Sequence, residues 1–160
     1  MNLPYNPYYL AEADLLELVV QIEEQGEADW KLFLSYADEC QVEPGHEIIR
    51  QFDTDRVVYI LTAGELEVST SSTPDGRARS IATVQPVAII GEQTFLDQQP
   101  RTATLAAKTP ATVHRLTLSA FDRLRTEEPE IACAFLFDVA RSLSLRARPL
   151  QAKQAGAKRD

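Results

Sequence analysis

Short β-type runs separated by turn residues fill the middle of the chain, from about residue 40 to residue 116. Proline and glycine together mark two of the turns, at residues 43–45 (E-P-G) and 74–76 (P-D-G), where they favour the backbone angles of a tight turn. Six or more short strands at this spacing are typical of a jelly roll or a barrel. We therefore predict a mainly β fold, a double-stranded β-roll of about eight strands, and the candidate strands are residues 46–50, 57–62, 66–71, 80–84, 88–90, 102–107 and 112–116.

Segments with helical periodicity flank this β-rich region on the N-terminal side. After an irregular arm over residues 1–9, residues 10–25 carry apolar side chains at helical spacing with acidic residues opposite. A second short helix is predicted around Trp30 and Phe33. The sequence thus predicts N-terminal helices that precede the β-roll.

Two helices are predicted after the β-roll. Ser119 is a candidate N-cap for a short helix that ends at Arg125, and Pro129 suits the first position of a second helix. Pro149 is expected to end that helix at or before Arg148, because the residue before a proline is disfavoured from the helical region. The predicted division is residues 1–35 for the arm and N-terminal helices, 36–118 for the β-roll, 119–148 for the C-terminal helices and 149–160 for a basic tail.

Composition restricts the classes of function. The net charge of −8 and the sequence pI near 4.8 argue against general affinity for nucleic acid. No apolar run approaches the roughly 20 residues of a membrane span, and no signal sequence begins the chain, so we expect a cytoplasmic protein.

His46 and His114 lie far apart without an H-x-H pattern, so no metal site is predicted. No Ser or Cys lies in a recognisable nucleophile motif, so no catalytic residue is predicted either.

Residues 91–105 read G-E-Q-T-F-L-D-Q-Q-P-R-T-A-T-L and combine the parts of a sugar-phosphate site. Gly91 permits close approach of the backbone to a ligand, and Arg101 offers a forked set of donors suited to phosphate. Glu92 can accept a hydrogen bond from a sugar hydroxyl. These residues favour a compact anionic sugar phosphate as ligand. The alternative is a surface loop in which Glu92 and Arg101 pair with each other or stay solvated.

This stretch resembles the phosphate-binding cassette of the cyclic-nucleotide-binding domain family, whose pattern is roughly F-G-E-L-A-L, a variable stretch and P-R-A/T/S-A. Residues 42–49 and 57–68 are also similar to the family's first turn and following hairpin. The resemblance implies that Glu92 holds the ribose 2′-hydroxyl and that Arg101 holds the cyclic phosphate. It also implies a set of neighbouring ligand contacts, made by Gly91, by the backbone of Gln93 and Thr94, and by Thr102.

Several positions depart from the family's pattern. Phe52 and Val87 stand where glycines are usual, and Gln93 and Thr94 replace the usual Leu and Ala. A lost glycine is tolerated where φ stays negative, so we expect an undistorted backbone at both positions. The departures leave open a degenerate domain that serves as a ligand-free protein interaction scaffold, whereas the presence of both Glu92 and Arg101 favours a binding-competent site.

The resemblance implies a nucleotide sensor but leaves its ligand and its output open. Thr102 is compatible with cAMP and with cGMP, and Arg146 on the last helix either stacks on the purine or stays solvated. The chain stops shortly after Pro149, which leaves no room for a helix-turn-helix, so DNA binding is not expected. The sequence therefore predicts a stand-alone regulatory protein, without catalytic activity or cofactor, that binds cAMP or cGMP and acts through a protein partner or through self-association.

Overall fold

Eight antiparallel strands in two sheets make up the body of the protein in the part of the chain that the structure describes. The computed structural model describes residues 26–71 and 77–156. In chain order the elements are α1 (Glu27–Ser35), β1 (Asp38–Val42), β2 (Glu47–Ile49), β3 (Val57–Ala63), β4 (Leu66–Thr70), β5 (Arg79–Val84), β6 (Ala88–Ile90), α2 (Glu92–Asp97), β7 (Thr104–Ala107), β8 (Ala111–Thr117), α3 (Leu118–Glu127) and α4 (Pro129–Gly156). The predicted jelly roll with flanking helices is confirmed.

Each sheet contains four of these strands. The order is β1-β8-β3-β6 in the first sheet and β2-β7-β4-β5 in the second, with every neighbouring pair antiparallel. Because side chains alternate across a strand, β3 supplies two separate hydrophobic clusters. Leu61 packs between the sheets with Leu66 and Val113, whereas Val58 and Ile60 pack against the helices. The first sheet therefore separates an inter-sheet core from a helical core.

Aromatic side chains connect the helices within the helical core. Phe33 of α1 stacks on Phe135 of α4 with ring centroids 5.2 Å apart, and Phe121 of α3 lies 5.9 Å from the same ring. Phe95 of α2 meets Phe121 edge-on at 5.7 Å. Such pairs are favourable beyond the area they bury. The short helix α2 is thus connected through Phe121 to the long helix α4.

All seven predicted strands are present, with ends that differ from the prediction by at most two residues. The predicted turn at residues 43–45 is confirmed, since the His46 N–H donates to the Glu43 carbonyl at 3.0 Å. Strand β1 was not predicted. It lies at the edge of its sheet and is polar, with Asp38 and Glu39 exposed, so it lacks the apolar alternation of a half-buried strand.

The helices agree with the prediction in part. The short helix around Trp30 and the helix start at Pro129 are confirmed. The cap of α3 is Thr117 instead of Ser119, because Thr117 is still extended and its hydroxyl accepts from the Ala120 N–H at 3.2 Å. The helix predicted over residues 10–25 and the turn at residues 74–76 lie outside the described residues.

The predicted end of the last helix at Pro149 is wrong, because α4 continues to Gly156. The φ angle of proline, near −65°, is itself helical, so proline interrupts a helix only through its missing N–H and a clash with the preceding turn. That penalty of roughly 3 kcal/mol does not stop a helix already established from Pro129. The carbonyl of Leu145 consequently loses its usual i+4 backbone donor.

Candidate nucleotide-binding site

The segment that resembles a phosphate-binding cassette connects β6 to β7 and contains α2. Gly91 follows β6 with a φ of 80°, a left-handed conformation that glycine adopts without strain. Gln98 ends α2 in the same region, with a φ of 59°. The chain changes direction at these two left-handed residues, and the ends of the segment lie close together. Nη1 of Arg101 donates to the Gly91 carbonyl at 2.7 Å.

Gly91 leaves the space that the Arg101 side chain occupies. A Cβ added at position 91 would overlap Nη1 of Arg101 and would lie 3.0 Å from the Cδ1 atom of Ile49. The position is thus restricted to glycine for two independent reasons, the left-handed backbone and the adjacent guanidinium. The close approach to a ligand that the sequence predicts at Gly91 stays a prediction.

The Arg101 guanidinium is buried and is held from several sides. Nη2 donates to the Val57 carbonyl at 2.6 Å and to Oδ2 of Asp55 at 3.0 Å, and Nε contacts Oδ1 of Asp55 at 3.4 Å. Only 2% of the Arg101 side chain is exposed, against 48% for Asp55. Asp55 also contributes, after burial itself, to raising the pKa of the Tyr59 phenol. Arg101 is therefore a fixed cation whose orientation depends on a carboxylate in the β2–β3 loop.

Glu92 begins α2 and is also buried, with 3% of its side chain exposed. Its Oε1 accepts a hydrogen bond from Nη2 of Arg146, which lies on α4. The same nitrogen lies 3.3 Å from the Ser142 hydroxyl one turn earlier in α4. The alternative of a loop in which Glu92 and Arg101 pair or stay solvated is therefore wrong, because both are buried and each has a different partner.

One cavity contains all the residues predicted to bind the ligand. Its polar side is lined by Gly91, Glu92, Gln93, Thr94, Arg101, Thr102 and Arg146. Thr94 is buried, whereas Gln93 and Thr102 are exposed at the edge. The lining also has an apolar part, which includes Ile49, Val84, Ile90, Ala103 and Leu105. A carboxylate, a guanidinium and an apolar wall around one space suit a ligand with hydroxyl, anionic and ring-like parts.

Sequence reasoning missed the residues that hold the cassette from outside it. Asp55 contacts Arg101, and Arg56 donates from Nε to the Phe95 carbonyl at 2.9 Å, near the C-terminal end of α2. Ser142 also lines the cavity. None of these residues lies in a recognisable motif, and the contacts of Asp55 and Arg56 join positions about forty or more apart in the chain. Only the proximity of the β2–β3 loop to a predicted cassette would have indicated Asp55 and Arg56.

The same loop corrects the expectation for Phe52. Its φ is 76°, whereas a negative value was expected, and 68% of the residue is exposed. The Asp53 N–H donates to the Arg50 carbonyl at 3.2 Å, which closes a turn that has Phe52 in its third position. A type II turn requires a positive φ at its third position. Phe52 therefore adopts a backbone conformation that is typical of glycine. Val87, at the other departure, stays outside the left-handed region, but the Pro86–Val87 peptide bond is cis, so the backbone there is not the undistorted one that was expected.

Metal centres and membrane-spanning helices are two other classes of feature to consider. Among the described residues, no three or more His, Cys, Asp or Glu side chains come together in a way that could hold a metal ion. Within residues 26–71 and 77–156 there is also no helix with the length and apolar character needed to cross a bilayer.

Comparison with known proteins identifies the family of this chain. Residues 39–128, more than half of the chain, match the cyclic nucleotide-binding domain. The protein belongs to the cyclic nucleotide-binding domain family. The cAMP-dependent protein kinase regulatory subunit of Yarrowia lipolytica is 35% identical to this cyclic nucleotide-binding domain over 83 residues. That match covers 52% of this chain and only 21% of the length of the Yarrowia protein.

Solved structures agree with the fold of the cyclic nucleotide-binding domain. A cyclic nucleotide-binding domain from Methylobacillus flagellatus aligns with a TM-score of 0.70 at 21% identity, over 92% of each chain. The catabolite activator protein of Thermus thermophilus aligns with a TM-score of 0.67 at 22% identity, over 89% of this chain and 63% of that one. At such identities the likeness supports the fold alone. Domains of this family are typically non-catalytic sensors.

Proposed function

We propose that this cyclic nucleotide-binding domain is a regulatory sensor, without catalytic activity, for cAMP or cGMP. The observation that carries the proposal is the placement of Glu92 and Arg101, which come from opposite ends of the cassette, are both buried, and line one cavity. A buried carboxylate and guanidinium are retained at a desolvation penalty, which a hydroxyl and a phosphate can help to offset. The Yarrowia relative, by its name a cAMP-dependent kinase subunit, supports a cyclic nucleotide as ligand.

Each polar residue has a proposed contact in this function. Arg101 would hold the cyclic phosphate with the Nη1 side of its guanidinium, which contacts Gly91 within the cavity wall. Glu92 would accept from the ribose 2′-hydroxyl, and the backbone of Gly91, Gln93 and Thr94 would line the sugar-phosphate. Thr102, exposed at the cavity edge, would stand beside the phosphate and the base.

The proposed output is a change in the surface that the C-terminal helices present to a protein partner or to a second copy of the chain. Two connections between the cavity and these helices support this proposal. The ring contacts from Phe95 through Phe121 to Phe135 join α2 to α3 and α4. The ion pair between Glu92 and Arg146 joins the cassette to α4 directly. A ligand that favours one arrangement of α2 therefore biases the arrangement of α4.

A second candidate function is a ligand-free interaction scaffold. One observation favours it: the charged groups of the cavity have protein partners, since Asp55 and backbone carbonyls contact Arg101, and Arg146 pairs with Glu92. A site whose charges are already neutralised is stable without a nucleotide. The two candidates differ in whether a nucleotide competes successfully with these contacts.

Calorimetric titration with cAMP and with cGMP tests the proposal. The decisive variant is Arg101→Lys, which keeps the charge but loses the forked donors, and the matched control is Arg50→Ala, at an exposed surface pair with Glu47. We expect micromolar or tighter binding that weakens about tenfold or more in Arg101→Lys and stays unchanged in Arg50→Ala. Absence of binding to a folded protein free of copurified nucleotide would leave the interaction scaffold.

A further inference from the structure

Two different partners are assigned to the carboxylate of Glu92. In the structure it accepts from Nη2 of Arg146, and in the proposed function it accepts from the ribose 2′-hydroxyl of a nucleotide. Only 3% of the Glu92 side chain is exposed while Arg146 lies against it. Almost no surface of the carboxylate is therefore left for a second group.

We propose that Arg146 competes with the ribose 2′-hydroxyl for Glu92, so that nucleotide entry separates Arg146 and its part of α4 from the cassette. The inference rests on the proposed function, because it needs a ribose hydroxyl at Glu92. It gives Arg146 a role opposite to that of a ligand contact. A purine-stacking arginine strengthens binding, whereas a competing arginine weakens it.

Two features of α4 fit a contact that forms and breaks. The Ser142 hydroxyl, one turn earlier in α4, lies 3.3 Å from Nη2 of Arg146, so it helps to direct the guanidinium at the cavity. Pro149 follows within one turn and has no N–H for the Leu145 carbonyl, so the end of α4 is held to the rest by one backbone hydrogen bond fewer. The ion pair with Glu92 is one attachment of this part of α4 to the cassette.

Competition has a defined thermodynamic consequence. If only the fraction of molecules with a free Glu92 accepts the ribose, the apparent Kd equals the intrinsic Kd divided by that fraction. Removal of the Arg146 guanidinium raises the fraction toward one. We therefore expect Arg146→Ala to bind the nucleotide about five- to tenfold more tightly than the natural sequence. Arg148→Ala is the matched control, because Arg148 is an exposed arginine on the same helix.

The first experiment measures Kd by calorimetry for cAMP, cGMP and their 2′-deoxy analogues. The variants are Arg146→Ala, Glu92→Gln, the double variant and Arg148→Ala. Of these variants, only the single variant Arg146→Ala is expected to bind the ribonucleotides more tightly than the natural sequence does. The substitution should have no effect in the Glu92→Gln background or on the 2′-deoxy analogues, which cannot displace Arg146.

The second measurement is hydrogen exchange along α4 with and without the ribonucleotide. We expect added nucleotide to accelerate amide exchange around residues 142–148 in the natural sequence, since the contact to Glu92 is lost, and to change it little in Arg146→Ala. The 2′-deoxy analogue should leave this exchange as it is.

The outcomes separate this inference from the proposed function. Weaker nucleotide binding in Arg146→Ala, or an equal effect in the Glu92→Gln background, overturns the competition while binding itself upholds the sensor. Protection of residues 142–148 by the nucleotide overturns it as well. Binding that appears only in Arg146→Ala supports a strong competition. If no variant binds either nucleotide, the sensor function fails and the competition fails with it.

Discussion

The carboxylate of Asp55 and the guanidinium of Arg101 meet at 3.0 Å although 46 positions separate them in the chain. The arginine is almost completely buried, whereas about half of the Asp55 side chain is exposed. The cation of the candidate site is therefore oriented by an anion on a surface loop. This arrangement makes the β2–β3 loop part of the site even though Asp55 itself does not line the cavity.

Substitution of Asp55 by alanine should lower the free energy of unfolding by about 1–2 kcal/mol. The buried guanidinium of Arg101 would lose its charged partner, but it would keep the carbonyls of Gly91 and Val57. The effect should stay below the 3–5 kcal/mol typical of a fully buried pair, because Asp55 is half solvated. Urea denaturation measures the difference.

Asp53→Ala is the matched control for this substitution. Asp53 lies in the same loop, and its hydrogen bonds to Arg101 and Arg50 are made by its backbone. Its removal should leave the free energy of unfolding within about 0.5 kcal/mol. Equal destabilisation by the two substitutions would mean that the loop tolerates neither side-chain loss and that the charge pair has no special role.

Arg56→Ala should loosen α2. The Arg56 guanidinium donates to the carbonyls of Phe95 and Leu96, which are among the last carbonyls of this short helix. We expect faster hydrogen exchange of the Gln98 amide, which bonds to the Thr94 carbonyl at the same helix end. Arg50→Ala removes an exposed surface pair instead and should leave this exchange unchanged. An unchanged rate at Gln98 in Arg56→Ala would contradict the bracing role.

Phe52→Gly should stabilise the protein relative to Phe52→Ala by about 1 kcal/mol. Both substitutions remove an exposed ring, but only glycine relieves the left-handed backbone at φ 76°. The comparison with alanine separates the backbone effect from the loss of the side chain. Thermal denaturation of the two variants gives the difference, and equal stability would show that the turn at Phe52 carries no backbone strain.

Acid should destabilise the fold through His114. Burial lowers the pKa of this imidazole below its ordinary value of about 6.5, and the opposing influence of Glu39 is smaller. The folded state therefore favours neutral His114, and its stabilising contribution is complete above about pH 6.5. The contribution decreases as the pH falls, because the unfolded chain then binds a proton that the folded chain does not.

Denaturation at pH 7 and at pH 5 tests this expectation. The loss of stability between the two values should be smaller in His114→Gln than in the natural sequence. Glu39→Gln should lower the pKa of His114 further, and ring-proton spectra can follow this directly because the chain has only two histidines. An identical pH dependence in His114→Gln would exclude the imidazole as a source of acid sensitivity.

The parts of the fold that were predictable from sequence are those in which the signal is local. The turn at residues 43–45, the strand runs and the helix start at Pro129 each depend on residues adjacent in the chain. The cassette was predictable for the same reason, since Gly91, Glu92 and Arg101 lie within eleven consecutive positions. Their ligand contacts remain a prediction.

The remaining features depend on tertiary contacts that no local pattern encodes. Arg146 was correctly placed near the cavity, but its partner Glu92 lies 54 positions away, and an arginine in a basic segment carries no sign of a buried carboxylate. The helix end predicted at Pro149 was wrong because the prediction considered only the proline. It did not consider the stability of the long helix that precedes this residue. Phe52 was misread because the turn, not the residue type, determines φ there.

Two glycines with similar backbone angles constrain the chain in different ways. A Cβ at Gly64 would overlap the backbone at Pro110 and Ala111, so its replacement would disturb the β-roll itself. A Cβ at Gly91 would instead overlap the guanidinium of Arg101 and crowd the side chain of Ile49, in addition to straining the left-handed backbone there. Under mutational drift, a lineage that replaced Gly91 would therefore lose the orientation of its pocket arginine while the scaffold survived. A single substitution at Gly91 is therefore enough to turn a receptor into a domain that retains only its fold.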